Sequence, residues 1–359
     1  MREQGFLMVR VMMAVSLLML AAIIQAGASK VVPPKTSFSG KKSLNKPLVQ
    51  PVIAARNEPI IEQVTLYPQE QAGSAHKIAR KGILVRFNNA KATILVAHGY
   101  MCNKYDVGFL RNMFPYGQYN FLTFDFRAHG EDREGQTCTL GKNEALDVIA
   151  AAKFLRAHPD LNKKPLFVYA FSMGAVASIE AQSQDASLFD AMVLDCPFDS
   201  TANVLNRLVS NIKFTLFGYE FKVPGATILQ KYAFHPYVQA LIKMMLKTVA
   251  NMEPRQVETK IFAVNPAQSI AKVKVPCFFI HCKNDEKVPM AAIKEVYAGA
   301  VGPKMLWLTN GRSHYDSYFY NPERYVQQVR LFVDQVLAGQ WKNSTEQRII
   351  EDEDDQVKS

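Results

Sequence analysis

The sequence contains little that would support a disulfide-built or metal-dependent fold. Its 359 residues include five cysteines, an odd number that leaves at least one thiol without an intramolecular partner. No two cysteines have the Cys-x-x-Cys spacing, and no cysteine–histidine cluster has the spacing of a metal site. We therefore expect no bound metal and no disulfide scaffold, so a hydrophobic core has to stabilise the chain.

Long apolar runs are also scarce. Only one stretch, near the N-terminus, approaches the ~20 residues of a transmembrane helix, which argues against a polytopic membrane protein. Hydrophobic residues make up 48% and charged residues 21% of the chain, so a disordered, collagen-like or coiled-coil protein is excluded. The formal charge is +10, but the sequence has no nucleic-acid-binding module, and we expect no nucleic-acid partner.

Residues 1–28 have the layout of a secretory signal peptide. Two arginines accompany the apolar run 11–24, and Ala-Gly-Ala at 26–28 supplies the small residues of a cleavage site. Cleavage after this triplet predicts a mature chain that begins at Ser29 and is periplasmic or secreted. The alternative is a protein anchored to the membrane by the uncleaved segment, because no charge interrupts residues 11–29.

Two polar segments flank the predicted folded part, which spans residues 60–342. Residues 29–59 begin with prolines and five lysines and predict a basic linker and lead-in. Residues 343–359 are rich in acids and predict a disordered tail.

From about residue 60, short apolar runs alternate with segments of helical periodicity. The runs predict strands at 60–66, 83–87, 93–97, 120–124, 166–170, 191–194, 275–281 and 304–308. The periodic segments predict helices at 143–158, 173–182, 290–298 and 322–337. Continuously apolar strands separated by helices are typical of an α/β fold with a mostly parallel, doubly wound sheet.

The interval between residues 195 and 275 is too long for a single crossover connection. It has helical stretches at 201–217 and 226–251 and an excess of basic residues, which predict an inserted helical cap at about 199–270. Its Phe, Tyr and Met side chains either contact an acyl chain or simply pack the cap onto the sheet, and the two readings remain open. Because the cap is basic, peripheral contact of the cap with a membrane is a further option.

A serine stands at the predicted turn between a buried strand and a helix of small residues. The sequence around it reads Tyr-Ala-Phe-Ser172-Met-Gly-Ala, close to the G-x-S-x-G pattern of a nucleophile elbow. Ala170 replaces the first glycine, and alanine is still small enough for the close passage of strand and helix. A serine hydroxyl attacks only when a base removes its proton, so a histidine and an orienting carboxylate are required.

Asp285 and His314 meet this requirement in the chain order serine, acid, histidine. Asp285 follows the predicted strand 275–281, at the strand end where ligands bind in open α/β sheets. His314 lies in a polar loop between the last predicted strand and the last predicted helix. We predict that Ser172, Asp285 and His314 form a catalytic triad.

Two backbone N–H groups are predicted to stabilise the oxyanion of the reaction. One belongs to Met173, the first residue after the serine, and the other to Tyr100, in the loop after the strand 93–97. His98 is predicted to brace that loop. The turn 125–130 is predicted to pack beside the site without an acid–base role.

Together these motifs resemble the α/β-hydrolase fold family, in particular its serine-aminopeptidase-like and monoacylglycerol-lipase-like branch. The motifs are His-Gly at 98–99, D-x-R-x-H-G at 125–130, the elbow at Ser172, D-x-x-V-P at 285–289, and His314. The resemblance covers about residues 60–337. It identifies residues 60–342 as an α/β-hydrolase domain with the cap as an insertion.

The resemblance implies hydrolysis through an acyl-serine intermediate without a cofactor. The expected substrate is a small-molecule or lipid-like acyl compound. A carboxylic ester is the preferred bond, and a thioester, an amide or a peptide of the kind cleaved by a serine aminopeptidase are alternatives. A non-catalytic binding protein on the same scaffold is the alternative outside hydrolysis.

Two further cysteines lie near the predicted site. Cys102 follows the Tyr100 loop, and Cys138 follows the turn 125–130. In an exported protein they either form a disulfide that fixes the loop or remain two unrelated thiols.

Overall fold

The computed structural model describes residues 58–133, 135–210, 213–216, 219–222, 257–341 and 347–353. Contacts divide the chain into one unit of residues 57–207 and 232–359 and another of residues 1–56 and 208–231. The predicted signal peptide, most of the linker and the predicted helix 226–251 lie outside the described residues. Within the described ranges, no helix is both long enough and apolar enough to cross a bilayer.

The described part contains eleven strands. In chain order they are β1 (Ile60–Leu66), β2 (Arg80–Arg86), β3 (Ala92–Ala97), β4 (Tyr119–Phe124), β5 (Leu166–Phe171), β6 (Ala191–Asp195), β7 (Lys213–Leu216), β8 (Tyr219–Lys222), β9 (Cys277–Cys282), β10 (Lys304–Thr309) and β11 (Gln347–Glu351). Nine of them form one sheet in the order β1-β2-β4-β3-β5-β6-β9-β10-β11. β2 runs antiparallel to both of its neighbours, β1 and β4, and every other neighbouring pair in this sheet is parallel.

Helices cover both faces of the nine-stranded sheet. They are α1 (Glu144–Ala157), α2 (Met173–Gln184), α3 (Thr201–Ser210), α4 (Pro266–Ser269), α5 (Met290–Gly299), α6 (Ser317–Tyr320) and α7 (Pro322–Leu337), with 3₁₀ turns at Gly108–Met113 and Ile270–Lys272. Alternate residues of the central strands enter opposite cores: Val168 packs with α1 and α2, while Tyr169 packs with α7. This two-sided burial explains the continuously apolar strands and confirms the predicted doubly wound α/β fold.

The predicted helix at 201–217 is wrong beyond residue 210. The structure ends α3 at Ser210 and has a hairpin of β7 and β8 instead. Apolar and polar residues alternate with a period of two in KFTL and YEFK, as in strands, and the two runs are separated by two residues, the spacing of a tight hairpin.

The predicted disordered tail is also wrong for residues 347–353. β11 pairs in parallel with β10 and extends the sheet, and Asp352 follows it as a buried carboxylate. One oxygen of Asp352 accepts the indole N–H of Trp307 at 2.9 Å and pairs with Arg324 at 3.0 Å. The acidic composition concealed an apolar pair of isoleucines that suits the open edge of β10.

Candidate active site

Ser172 occupies a sharp turn between β5 and α2. Its backbone has φ 47° and ψ −113°, a conformation that non-glycine residues rarely adopt. The N–H of Ser172 donates to the carbonyl of Asp195, at the end of the neighbouring strand β6, at 2.8 Å. A strained serine held between strand and helix is the local geometry of a nucleophile elbow.

The small residues on either side of Ser172 are not equivalent. A Cβ on Gly174 would lie 2.5 Å from the carbonyl oxygens of both Ala97 and His98. The methyl group of Ala170, by contrast, is accommodated in the core between β3 and β6. Glycine is therefore required two residues after the serine, whereas alanine fits two residues before it.

Gly174→Ala is expected to push α2 away from the loop after β3 and to displace Ser172. We expect kcat to fall about 100-fold, because ångström-scale displacement of reacting groups is costly. The free energy of unfolding should fall by about 1–3 kcal/mol, as measured in urea. Gly108→Ala is the matched control, since a Cβ there meets nothing within 4 Å. An unchanged kcat for Gly174→Ala would contradict the packing argument.

The structure brings the three residues of the predicted triad together. The Oγ of Ser172 lies 2.9 Å from Nε2 of His314, and Nδ1 of His314 lies 2.6 Å from Oδ2 of Asp285. The other oxygen of Asp285 accepts the N–H groups of Lys287 and Val288, each at 2.9 Å. With its Nδ1–H donated to Asp285, His314 presents Nε2 as an acceptor for the serine hydroxyl.

These contacts form because three loops emerge at the same edge of the sheet. Ser172 follows β5, Asp285 follows β9 and His314 follows β10, and all three strands run parallel. The carboxyl ends of parallel strands form the usual ligand site of open α/β sheets. Strand order and spacing thus predicted the meeting of these residues, while their chemical roles stay predictions.

The carboxyl of Asp285 is held in its ionised form. Burial alone would raise its pKa, but the hydrogen bond and charge of His314 and the N–H of Val288 outweigh burial and lower it. An ionised Asp285 can stabilise an imidazolium at His314 while the serine attacks.

Asp195 is a second buried carboxyl beside the site, which the sequence reasoning did not single out. Burial raises its pKa to about 6, although hydrogen bonds from Tyr325 and Cys196 oppose the rise. Its Oδ2 accepts the hydroxyl of Tyr325 at 2.5 Å. In the sequence, its position at the end of a predicted strand could have indicated that it lies at the same sheet edge as Ser172, Asp285 and His314.

The predicted oxyanion donors flank Ser172. A Cβ on Gly99 would lie 3.8 Å from that of Ser172, which places the loop after β3 against the serine. The hydroxyl of Tyr100 hydrogen-bonds to Thr259 at 2.8 Å and ties this loop down. Met173 begins α2, and the first N–H groups of a helix have no intrahelical acceptor. The donor roles of Tyr100 and Met173 remain predictions.

His98 braces the loop, as predicted. Its ring bonds to the carbonyl of Gly99 at 2.8 Å through Nδ1 and accepts the N–H of Phe126 at 3.1 Å through Nε2. Burial lowers the pKa of His98 to about 3, so the ring stays neutral and can hold both contacts. The loop after β3 is thereby joined to the turn after β4.

The turn 125–130 is a packed structural element, also as predicted. Asp125 is buried against the ammonium of Lys104 at 2.7 Å, and Arg127 pairs with Asp147 of α1 at 2.7 Å. Gly130 has φ 61°, and a Cβ there would lie 2.2 Å from the carboxyl carbon of Asp125. The charged side chains of this turn are therefore paired with one another or with neighbouring elements, and the absence of an acid–base role for the turn stays a prediction.

A cavity of about 280 Å³ lies beside the loop after β3, and its lining includes the polar and charged residues Lys104, Asp125, His129 and Glu131. An aromatic row is formed by Phe171 and Tyr315, whose ring centroids are 4.6 Å apart, and by the half-exposed Phe319 at 6.4 Å from Tyr315.

Cys196 lies close to Asp285 and His314, and its sulfur is a potential metal ligand beside their oxygen and nitrogen atoms. Its sulfur, a carboxylate oxygen of Asp285 and a ring nitrogen of His314 lie within 4.8 Å of one another, a donor set that can bind a metal ion. Asp285 and His314 already use these groups in contacts with each other and with Ser172. The absence of a metal from the reaction stays a prediction.

All five cysteines are free thiols in the structure. Cys138 is buried with its sulfur 3.5 Å from that of Met173, and Cys102 lies beside Gly99. Of the two alternatives for Cys102 and Cys138, the structure shows separate thiols.

Two uncharacterised bacterial proteins are similar to this chain over much of its length. It is 26% identical to the uncharacterised YqkD of Bacillus subtilis (strain 168) over 262 residues, 73% of this chain and 77% of that one. It is 24% identical to the uncharacterised YfhR of Escherichia coli (strain K12) over 232 residues, 64% of this chain and 66% of that one.

Solved structures with the same architecture include the Pyrococcus furiosus esterase Pf2001, with a TM-score of 0.55 at 22% identity over 79% of this chain and 96% of that one. They also include the α/β-hydrolase GrgF from Penicillium sp. sh18, with a TM-score of 0.55 at 15% identity over 78% of this chain and 99% of that one. At these identities the likeness shows the common fold.

A family model described as serine aminopeptidase, S33, matches residues 88–315, more than half of the chain. The matched range includes the elbow serine, the buried acid and the histidine that the structure brings together. The chain belongs to this family, the serine aminopeptidase (S33) branch of the α/β-hydrolase superfamily.

Proposed function

We propose that the protein is a serine hydrolase that cleaves a carboxylic ester through an acyl intermediate on Ser172. The observation that carries this proposal is the continuous pair of contacts from Ser172 through His314 to Asp285. Membership of a hydrolase family supports the reaction class. The contacts support the proposed roles of Ser172 as nucleophile, His314 as base and Asp285 as orienting acid.

Each step of the reaction has a group in place. Nε2 of His314 removes the proton of the Ser172 hydroxyl as its oxygen attacks the carbonyl carbon. The N–H groups of Tyr100 and Met173 stabilise the oxyanion that forms. His314 then returns the proton to the leaving alcohol and later activates a water that releases the acid from Ser172.

The proposed substrate is a small-molecule or lipid-like acyl ester. The half-exposed ring of Phe319, which packs against Tyr315, supports it, because an acyl group bound against that ring would have its apolar surface removed from water. The name of the similar Pf2001 structure, an esterase, points in the same direction. The description of the family as serine aminopeptidase supports peptide hydrolysis as the second candidate.

We further propose that the protein is exported after cleavage behind residue 28, on the layout of residues 1–28. N-terminal sequencing of the exported protein should then begin at Ser29. A membrane-bound product that begins at Met1 would support the anchored alternative, and peripheral membrane contact through the basic insertion is a separate proposal.

The test is a hydrolysis panel on the mature protein, with a short-chain p-nitrophenyl ester, the matching thioester and an aminoacyl p-nitroanilide. We expect the largest kcat/KM for the ester and labelling of Ser172 by a fluorophosphonate probe. A larger kcat/KM for the anilide would support the peptidase. Failure of the probe and of every substrate would support a binding protein on the same scaffold.

A further inference from the structure

The last strand of the sheet, β11, ends beside the loops that carry Asp285 and His314. β11 runs parallel to β10, so its carboxyl end lies at the sheet edge where the triad residues meet. Asp352 and Glu353 follow it, and the N–H of Asp352 donates to the carbonyl of Leu308 at 2.9 Å. The chain past β11 therefore stays against the end of β10.

One side chain from each of the two loops reaches this part of the chain. Lys283 follows β9, two residues before the acid of the triad, and its ammonium donates to the carbonyl of Asp352 at 2.5 Å. Asn310 follows β10, four residues before the histidine, and its side-chain amide donates to the carbonyl of Glu353 at 2.5 Å. Two consecutive carbonyl groups thus accept one hydrogen bond from the loop of the acid and one from the loop of the histidine.

The side chain of Asp352 fixes these carbonyl groups in place. Its buried carboxylate accepts the indole N–H of Trp307 at 2.9 Å and pairs with Arg324 at 3.0 Å. Trp307 lies on β10 and Arg324 on α7, so one side chain attaches the segment to both the sheet and a helix. Release of the segment would leave the fully buried indole N–H without an acceptor, which is costly.

We propose that residues 347–353 form a positioning element for the triad, in which Asp352 is the anchor and Lys283 and Asn310 are the positioning residues. They act by holding the two loops so that the acid and the histidine of the triad keep their contact of 2.6 Å. Such support matters because catalytic groups have to stay within about 0.5 Å of the productive geometry. The effect on turnover rests on the proposed hydrolase function, whereas the effect on this contact does not.

The first measurement compares Lys283→Met with the wild type in the purified full chain. Methionine keeps much of the apolar stem of lysine and removes the donor to the carbonyl of Asp352. We expect kcat for the p-nitrophenyl ester to fall about fivefold with KM unchanged, because the reacting groups shift while the substrate surface stays in place. Lys283→Arg should keep the wild-type kcat, since a guanidinium can donate to the same carbonyl. Asn310→Ala should lower kcat as well, and because it changes no charge, it excludes loss of the lysine charge as the cause.

The second measurement is the proton NMR signal of the Nδ1–H of His314. A hydrogen bond of 2.6 Å to a carboxylate predicts a signal far downfield of ordinary N–H groups. The signal should shift upfield or disappear in Lys283→Met and in Asp352→Ala, and it should stay in place in Lys283→Arg. A segment that contributed only stability would lower the midpoint of urea unfolding and leave the signal where it is.

Tyr297→Phe is the matched control, since the hydroxyl of Tyr297 donates to the carbonyl of Arg348 at 3.2 Å, near the start of the same strand. This variant should keep both kcat and the signal of His314. The proposal is overturned if Lys283→Met keeps both, if its kcat falls while the signal stays, or if Lys283→Arg or Tyr297→Phe loses as much kcat as Lys283→Met. A wild type that neither hydrolyses the panel nor reacts with fluorophosphonate would refute the proposed function, while the signal still decides whether the segment holds the contact.

Discussion

Replacement of Ser172 by alanine is expected to lower kcat for ester hydrolysis by about 10⁴-fold or more. The variant removes the only atom that can form the acyl bond, Oγ, which lies 2.9 Å from Nε2 of His314. KM should change little, because the hydroxyl contributes little to ground-state binding. The measurement is steady-state hydrolysis of the p-nitrophenyl ester, together with the loss of fluorophosphonate labelling.

Ser313→Ala is the matched control for this prediction. Ser313 stands next to His314 in sequence, and its side chain is exposed to solvent. It should hydrolyse the ester at the wild-type rate. His314→Ala should lower kcat as far as Ser172→Ala, and the double variant should lose little more, because triad residues act as a unit. Near-wild-type turnover by Ser172→Ala would show that the elbow assignment is wrong.

Asp147→Ala is expected to cause the largest loss of stability, about 3–5 kcal/mol in the free energy of unfolding. Asp147 lies on α1 and pairs with the buried guanidinium of Arg127, which also donates to the carbonyls of Gln69 and Glu70. The carboxylate additionally accepts the N–H of Arg127 at 3.0 Å. Its removal leaves a buried positive charge without a counter-ion, and urea unfolding measures the cost.

Lys153→Ala tests an ion pair on the same helix, α1, that is exposed to solvent rather than buried. Lys153 pairs with Asp185 at 3.2 Å, but its side chain is 62% exposed. Water and salt screen such a pair, so the variant should lose less than about 1 kcal/mol. Equal losses for the Lys153 and Asp147 variants would contradict the view that the turn after β4 depends on its buried charges.

Asp147→Ala is also expected to affect the candidate active site, because Asp147 holds the turn after β4. Arg127 belongs to the turn 125–130, which is joined through Phe126 to His98 and so to the loop that flanks Ser172. The fraction of Asp147→Ala that remains folded should therefore show a reduced kcat as well as a lower stability.

The sequence by itself determined the alternation of strands and helices and pointed to three residues, Ser172, Asp285 and His314, that the structure brings together. Buried strands require continuous apolar runs, and the elbow requires small residues around a serine, so both leave local patterns. Asp285 and His314 could be selected because each follows a strand in the order that this architecture uses. Ala170, the apparent departure from the motif, is explained by the space its methyl group finds in the core.

Only the tertiary structure decided which distant segments pair. β11 forms because the open edge of β10 satisfies the backbone groups of Gln347–Glu351, a gain that the acidic composition of the segment conceals. Likewise, β6 and β9 are separated by more than eighty residues, yet they are neighbours in the sheet. Sheet order depends on long-range packing and hydrogen bonding, which leave no periodic pattern in the chain, so the place of the buried carboxyl of Asp195 beside the candidate site became visible only once the strands were paired.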